Sequence, residues 1–215
     1  MRRFLFVAAV VFVFATAQFG VAAAEPYRVC LDPGHGGSDP GAVYSGLVEK
    51  EVTLDIAKRV AAALDPALYV TKLTRDGDAT LGNSDRAVIC NAFGAQVVLS
   101  IHLNASSDAS VDYVWIFYGK PLKDKAFAAA MDRSYAISQP DGNGLLPHKA
   151  ITNFANGTLL KSKAPAALAE CLFMSNAVEN AQLAAADPMD PTAPPSRRQQ
   201  IANELVKGIR AWAGR

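Results

Sequence analysis

The chain reads as an α/β protein: a single domain on a mixed, largely parallel sheet with helices on both faces. Three observations predict this. Short apolar runs alternate with stretches in which apolar residues recur every three or four positions, the pattern of alternating strands and helices. Two of the strand-like runs, 96–102 and 166–173, are apolar almost throughout, as strands covered on both faces are. The 215 residues suffice for one domain with a sizeable core, and they contain no internal repeat and no low-complexity linker.

The elements follow in order. Arg28–Leu31 reads as the first strand, and it runs into the glycine-rich turn Asp32-Pro33-Gly34-His35-Gly36-Gly37-Ser38-Asp39-Pro40-Gly41-Ala42. Val52, Ile56, Val60 and Leu64 recur every four residues, so 49–64 reads as a helix. Tyr69–Leu73 is a second strand. Ser84 is placed to cap a helix reaching about Phe93, with Gly94 ending it. The apolar run 96–102 is a central strand, and 113–118 another. Pro121 suits the first turn of a helix reaching about Ile137. Residues 139–156 carry turn signals, 166–173 a buried strand, and 185–196 a surface loop with four prolines. Residues 199–212 form a closing amphipathic helix.

The first residues stand apart. Arg2 and Arg3 precede an apolar run from Phe4 to about Ala17, and small residues follow to Ala22-Ala23-Ala24. This is the pattern of a secretory signal peptide cleaved after Ala24, leaving a domain of residues 25–215. The alternative is an uncleaved membrane anchor, for which the run is short. The leader carries two arginines and no acid, so the chain's 21 basic and 20 acidic side chains become 19 and 20 after removal. With no basic block, nothing predicts binding to nucleic acid or to an anionic membrane surface. An exported protein with Cys30, Cys90 and Cys171 cannot pair all three within one chain. Buried free thiols are the simplest reading; a Cys30–Cys171 disulfide is the alternative, should those strands be neighbours. The expected location is extracytoplasmic, the periplasm rather than free secretion, and the expected state is a monomer.

Function concentrates at element ends. His35 follows the first strand, His102 closes a second in Ser100-Ile101-His102-Leu103-Asn104, and Glu49 opens a helix. In open α/β sheets, working residues gather beyond the carboxyl ends of strands. Two neutral imidazoles and one carboxylate suit a catalytic zinc ion with one position open to water. Glu170, a carboxylate inside the apolar run 166–173, is costly there unless paired or functional, and is the candidate proton carrier. Asp32 is placed to orient His35. Each residue also has a structural reading. A lone histidine can be a packed side chain, Glu49 a first-turn acid favoured by the helix dipole, and Glu170 an ion-pair partner of Arg86 or Arg75. His148 lies in turn-rich surroundings that fit a surface or substrate-facing role.

Four ordered motifs resemble the zinc-dependent N-acetylmuramoyl-L-alanine amidases of the Amidase_3 family. They are Asp32–Ala42; Gly46-Leu47-Val48-Glu49-Lys50 with Leu54; Ser100–Ala105; and Pro165–Asn176, which contains Glu170, Phe173, Met174, Ser175 and Asn176. Thr74-Arg75 and Asp85-Arg86 fit further family positions. The resemblance spans roughly 29–180. It implies a six-stranded sheet, Zn2+ held by His35, Glu49 and His102, and Glu170 as the catalytic carboxylate. It further implies hydrolysis of the amide between the lactyl group of N-acetylmuramic acid and the L-alanine of a peptidoglycan stem peptide. Ala169, Cys171, Leu172 and Leu103 depart from the family pattern and are expected to add bulk beside the site. In the segment between Tyr118 and Leu159, where some relatives carry an inhibitory helix, Lys120–Ile137 reads here as an ordinary sheet-covering helix. The same residues also suit a zinc peptidase cutting within stem peptides, and the fold alone would serve a non-catalytic peptidoglycan-binding module.

Overall fold

The computed structural model describes residues 25–139, 142–189 and 192–214; the expected signal peptide, residues 1–24, lies outside the described residues. The chain runs β1 (Tyr27–Pro33), β2 (Val43–Tyr44), β3 (Leu47–Val48), α1 (Glu49–Ala63), β4 (Tyr69–Leu73), α2 (Asn83–Ala92) and β5 (Val97–Asn104). It continues through β6 (Val114–Tyr118), α3 (Lys125–Ser134), β7 (His148–Asn153), α4 (Gly157–Lys161), β8 (Ala166–Phe173), α5 (Ala177–Ala184) and α6 (Arg197–Ala213).

Six strands form one sheet in the order β4-β1-β5-β8-β6-β7, and β2 pairs with β3 as a small separate ribbon. The strands β4, β1, β5 and β8 are mutually parallel, while β6 runs antiparallel to β8 and carries β7 parallel to itself. The apolar runs read from the sequence are the inner strands: every residue of β1 from Val29 to Pro33 is buried, as are Val97 to Ile101 of β5. On one face, α1, α3 and α6 cover a large core that includes Ile56, Leu99, Ile101, Phe127, Met131 and Leu205. Val52, Ile56 and Val60 of α1 are its inward stripe. On the other face, α2 and α4 cover a smaller core of Cys30, Cys90, Val98, Leu159 and Leu168. The carboxyl ends of β1, β5 and β8 therefore come together on one edge of the sheet.

Several boundaries differ from expectation for identifiable reasons. Helix α2 begins at Asn83, with Gly82 rather than Ser84 as its cap, because the Asp85 and Arg86 amides donate to the Gly82 carbonyl. Helix α3 is shorter than 121–137. A turn closed on the Lys120 carbonyl by the Lys123 and Asp124 amides precedes it, and beyond Tyr135 the Ile137 carbonyl bonds the Leu146 amide instead. Residues 148–153, read as turns, form the edge strand β7. It pairs on one side only and carries little apolar surface, so it lacks the pattern of a buried strand.

The cysteine reading requires correction: Cys30 and Cys90 are bonded, and Cys171 is the buried free thiol. Strand β5 lies between β1 and β8, and Cys30 faces the α2/α4 layer whereas Cys171 faces the opposite core, so Cys30 and Cys171 cannot meet. The bridge ties β1 to α2 across a sequence separation of 60 residues. Closing a loop of that size adds about 2–4 kcal/mol of stability. Urea unfolding of the Cys30→Ala/Cys90→Ala double variant should show a loss of this order, and thiol titration of the denatured, unreduced protein should find one thiol. Three titrating thiols would contradict the pairing.

Candidate metal centre and cleft

Strand β1 ends at Pro33, and the consecutive carbonyls of Pro33, Gly34 and His35 are gripped by two buried guanidinium groups. Arg75 Nε and Arg86 Nη1 donate to the Pro33 carbonyl at 3.1 and 2.7 Å. Arg75 Nη2 donates to the Gly34 carbonyl at 2.7 Å, and Arg86 Nη2 to the His35 carbonyl at 2.6 Å. Arg86 is itself paired with buried Asp32 at 2.9 Å. The clamp holds His35 in the left-handed region at φ 60, a conformation that a non-glycine residue rarely adopts unassisted.

Two glycines make room. A Cβ on Gly34 would stand 2.3 Å from the His102 ring, and one on Gly41 would stand 2.6 Å from both Glu49 Oε2 and the His35 ring. Gly41 also has φ +66, which favours glycine.

The three residues singled out as metal ligands are brought together. His35 Nε2 lies 3.0 Å from Glu49 Oε1, His102 Nδ1 lies 3.2 Å from Glu49 Oε1, and the two imidazole nitrogens lie 3.2 Å apart. This near-equilateral triangle is close to the face of a tetrahedron, since ligand atoms about 2.0–2.2 Å from a tetrahedral ion lie about 3.3–3.6 Å apart. The residues present therefore fit a divalent metal, and all three line a cleft of about 390 Å³. Glu49 is buried at the first turn of α1, where the helix dipole favours its charge. Its Oε2 accepts from the Ala42 amide at 2.9 Å and its Oε1 from the Leu103 amide at 3.0 Å.

Asp32 does not orient His35. It sits one step deeper in β1, where Thr74, Ser100 and Arg86 saturate it. The partner of His35 Nδ1 is Asp39, at 2.8 Å. The turn closes Gly36 onto Asp39 through paired backbone hydrogen bonds and so brings that carboxylate back over the ring. A carboxylate four residues after a histidine in a glycine-rich turn was the available signal.

Glu170 lies directly beside His102 in the β5–β8 register and beside Trp115 in the β8–β6 register. Neither Arg75 nor Arg86 pairs with it, and its Oε2 is buried with no hydrogen-bond partner among the described residues. Burial raises its pKa to about 7, against the pull of the nearby His102. Of the residues expected to add bulk, Cys171 and Leu172 point into the main core instead, and Leu103 borders the cleft. His148 pairs with Asp132 of α3 at 2.9 Å and is absent from the cleft lining.

In the metal-free cluster, burial opposes protonation of His35. The hydrogen bond and charge of Glu49, joined by those of Asp39, outweigh it and raise the pKa to about 9. Burial likewise opposes ionisation of Glu49, yet the two imidazoles hold it well below the usual carboxylate range.

The family model described as N-acetylmuramoyl-L-alanine amidase matches residues 29–211. The chain belongs to this family. It is 33% identical over 158 residues to N-acetylmuramoyl-L-alanine amidase LytC of Bacillus subtilis (strain 168), covering 72% of this chain and 31% of that protein. It is 30% identical over 187 residues to the probable cell wall amidase LytH of Staphylococcus epidermidis, covering 86% of this chain and 57% of that one. The chain thus spans under two thirds of the length of either relative. The solved structure of N-acetylmuramoyl-L-alanine amidase AmiC2 of Nostoc punctiforme superposes with a TM-score of 0.74 at 30% identity, covering 88% of this chain and 98% of that one. These matches agree with the single α/β domain and six-stranded sheet described above.

The charge pattern gives a pH dependence for the metal-free protein. His35 has a folded pKa above its ordinary 6.5, so the stability it contributes is complete below about pH 6.5 and is lost as pH rises through about 9. Glu170, raised from 4.5 to about 7, acts in the same direction over a lower range. Chelated protein should therefore unfold at falling urea concentrations from pH 6.5 to 9. The stabilisation conferred by added zinc should grow over the same range, because coordination needs neutral imidazoles. A metal-free stability that rises across this interval would contradict the cluster's electrostatics.

Proposed function

We propose that the domain hydrolyses the amide joining N-acetylmuramic acid to the L-alanine of peptidoglycan stem peptides, with zinc as its cofactor. The observation that carries this reading is the triangle of His35 Nε2, Glu49 Oε1 and His102 Nδ1, with an unpaired carboxyl group on the neighbouring strand. Family membership supports the choice of bond.

His35, Glu49 and His102 would hold the ion, giving it one negative and two neutral ligands. Zinc in such a setting lowers the pKa of coordinated water towards neutrality and polarises a carbonyl. Glu170 takes the attacking water's proton and delivers it to the departing alanine amine. A carboxyl group with a pKa of about 7 serves both steps near neutral pH. Asp39 accepts from His35 Nδ1–H, which fixes the tautomer that presents Nε2 to the ion. The Leu103 and Ala42 amides hold the Glu49 carboxylate in one rotamer.

The substrate lies outside the cytoplasmic membrane, which agrees with reading residues 1–24 as an export signal and residues 25–215 as the mature, monomeric catalytic domain. Among the described residues no helix is long and apolar enough to cross a membrane. The periplasm is the proposed compartment, and the Cys30–Cys90 disulfide is consistent with an oxidising one.

Glu170→Gln should retain stoichiometric zinc and lose about 10²–10⁴-fold in kcat on purified peptidoglycan, measured as new L-alanine amino termini. His35→Ala should lower zinc affinity itself. Products in which muramic acid stays attached to peptide would convert the assignment to a peptidase. Zinc-loaded protein that releases nothing would overturn the reaction.

A further inference from the structure

The cleft extends beyond the metal triangle and Glu170 to Leu168 of β8, and its far wall is formed by residues that the chemistry leaves unused. Leu81 and Asn83 come from the start of α2, Asn156 from the cap of α4, and Phe154 from the end of β7. The Thr158 hydroxyl donates to the Asn83 carbonyl at 3.1 Å and locks the two helix starts together. Asn156 Oδ1 accepts from the Thr158 and Leu159 amides, so its NH2 remains as a donor. Phe154 is 45% exposed and backed by Phe117, with ring centroids 5.2 Å apart. Trp115, nearer to Glu170, offers no comparable face: Phe117 lies 4.4 Å away and the Lys149 ammonium 4.2 Å from its ring centroid. Phe154 is thus the aromatic ring on this wall whose surface is open to a ligand.

We propose that this wall is a subsite for an N-acetylated pyranose ring, the sugar that carries the scissile amide; the inference rests on the amidase reading above. Position, charge and chemistry agree. Leu168 is two residues before Glu170 on β8, about 7 Å along the strand, and pairs with Phe117, the ring that backs Phe154. Three single bonds of about 1.5 Å each separate the scissile carbonyl carbon from the muramic ring, which brings the ring to that depth. The alternative occupant, the stem peptide, carries free carboxylates. The cleft lining contains one arginine or lysine, Arg86, and its guanidinium is committed to Asp32 and to backbone carbonyls. A neutral sugar needs no counter-charge. Its C–H face packs on Phe154, and its N-acetyl group finds a donor at Asn156 and an amide side chain at Asn83.

The test uses the zinc-loaded protein and two substrates of equal peptide sequence, an N-acetylmuramoyl pentapeptide and a D-lactoyl pentapeptide lacking the sugar. Phe154→Ala, checked for fold by circular dichroism, should lower kcat/KM about five- to tenfold on the muramoyl substrate, chiefly through KM. The lactoyl substrate should be cleaved within about twofold of wild type by the same variant. Equal losses on both substrates, or no loss on either, would overturn the subsite. Asn83→Ala should reduce the preference for the N-acetylated over the de-N-acetylated muramoyl substrate, and an unchanged preference would remove Asn83 from it. Should wild type cleave neither substrate, the amidase reading fails. The wall is then judged by titration with N,N′-diacetylchitobiose: chemical-shift changes lost in Phe154→Ala uphold a saccharide site, and no changes in wild type overturn it.

Discussion

One buried carboxylate organises the molecule. Glu49 stands at the first turn of α1, almost without solvent, and its two oxygens are met by two backbone amides and two imidazole nitrogens. A charge removed from water is costly unless it is surrounded by donors or shared with a cation. Those donors come from segments far apart in sequence: the turn at Ala42, the end of β5 at Leu103, and the histidines at positions 35 and 102. The first helix, the glycine turn and the central strand are thereby forced to a common point. The same point is where a divalent ion would take the place of the proton that Glu49 and Asp39 favour on His35.

The surrounding frame makes that convergence rigid. Arg75 and Arg86 satisfy successive carbonyls of a loop too tightly turned to form its own ladder, and Asp32 balances the charge of Arg86. The clamp's reach is long, because Arg86 belongs to α2, which the disulfide from Cys90 ties back to β1. Burial, charge balance and covalent linkage thus act on the few residues that aim His35.

Most of this arrangement was legible in the sequence. The glycine turn, the histidine ending an apolar strand and the carboxylate inside another apolar strand are each anomalous for packing, and the fold brings all three to one cleft. Four-residue periodicity gave α1, and continuous apolarity gave the inner strands. What was not legible depends on which way a side chain points once strands are ordered. Asp32 and Asp39 are equally plausible partners for His35 in one dimension, but strand geometry turns Asp32 towards Thr74 and Ser100, while the turn folds Asp39 back onto the ring. Cys171 could be assigned to Cys30 only in ignorance of β5 between them. Strand β7 escaped because an edge strand needs little apolar surface, and with it went Phe154, which acquires meaning only where β7 and α4 meet the cleft.

The claim beneath all of this is that two imidazoles and one carboxylate hold a single divalent ion. A crystal structure of the protein grown with zinc, with diffraction recorded on both sides of the zinc absorption edge, tests it most directly. The account predicts one strong anomalous peak per chain, about 2.0–2.2 Å from His35 Nε2, Glu49 Oε1 and His102 Nδ1, with its remaining position facing Glu170. A zinc ion bound elsewhere, or one that leaves Glu49 uncoordinated, would contradict it.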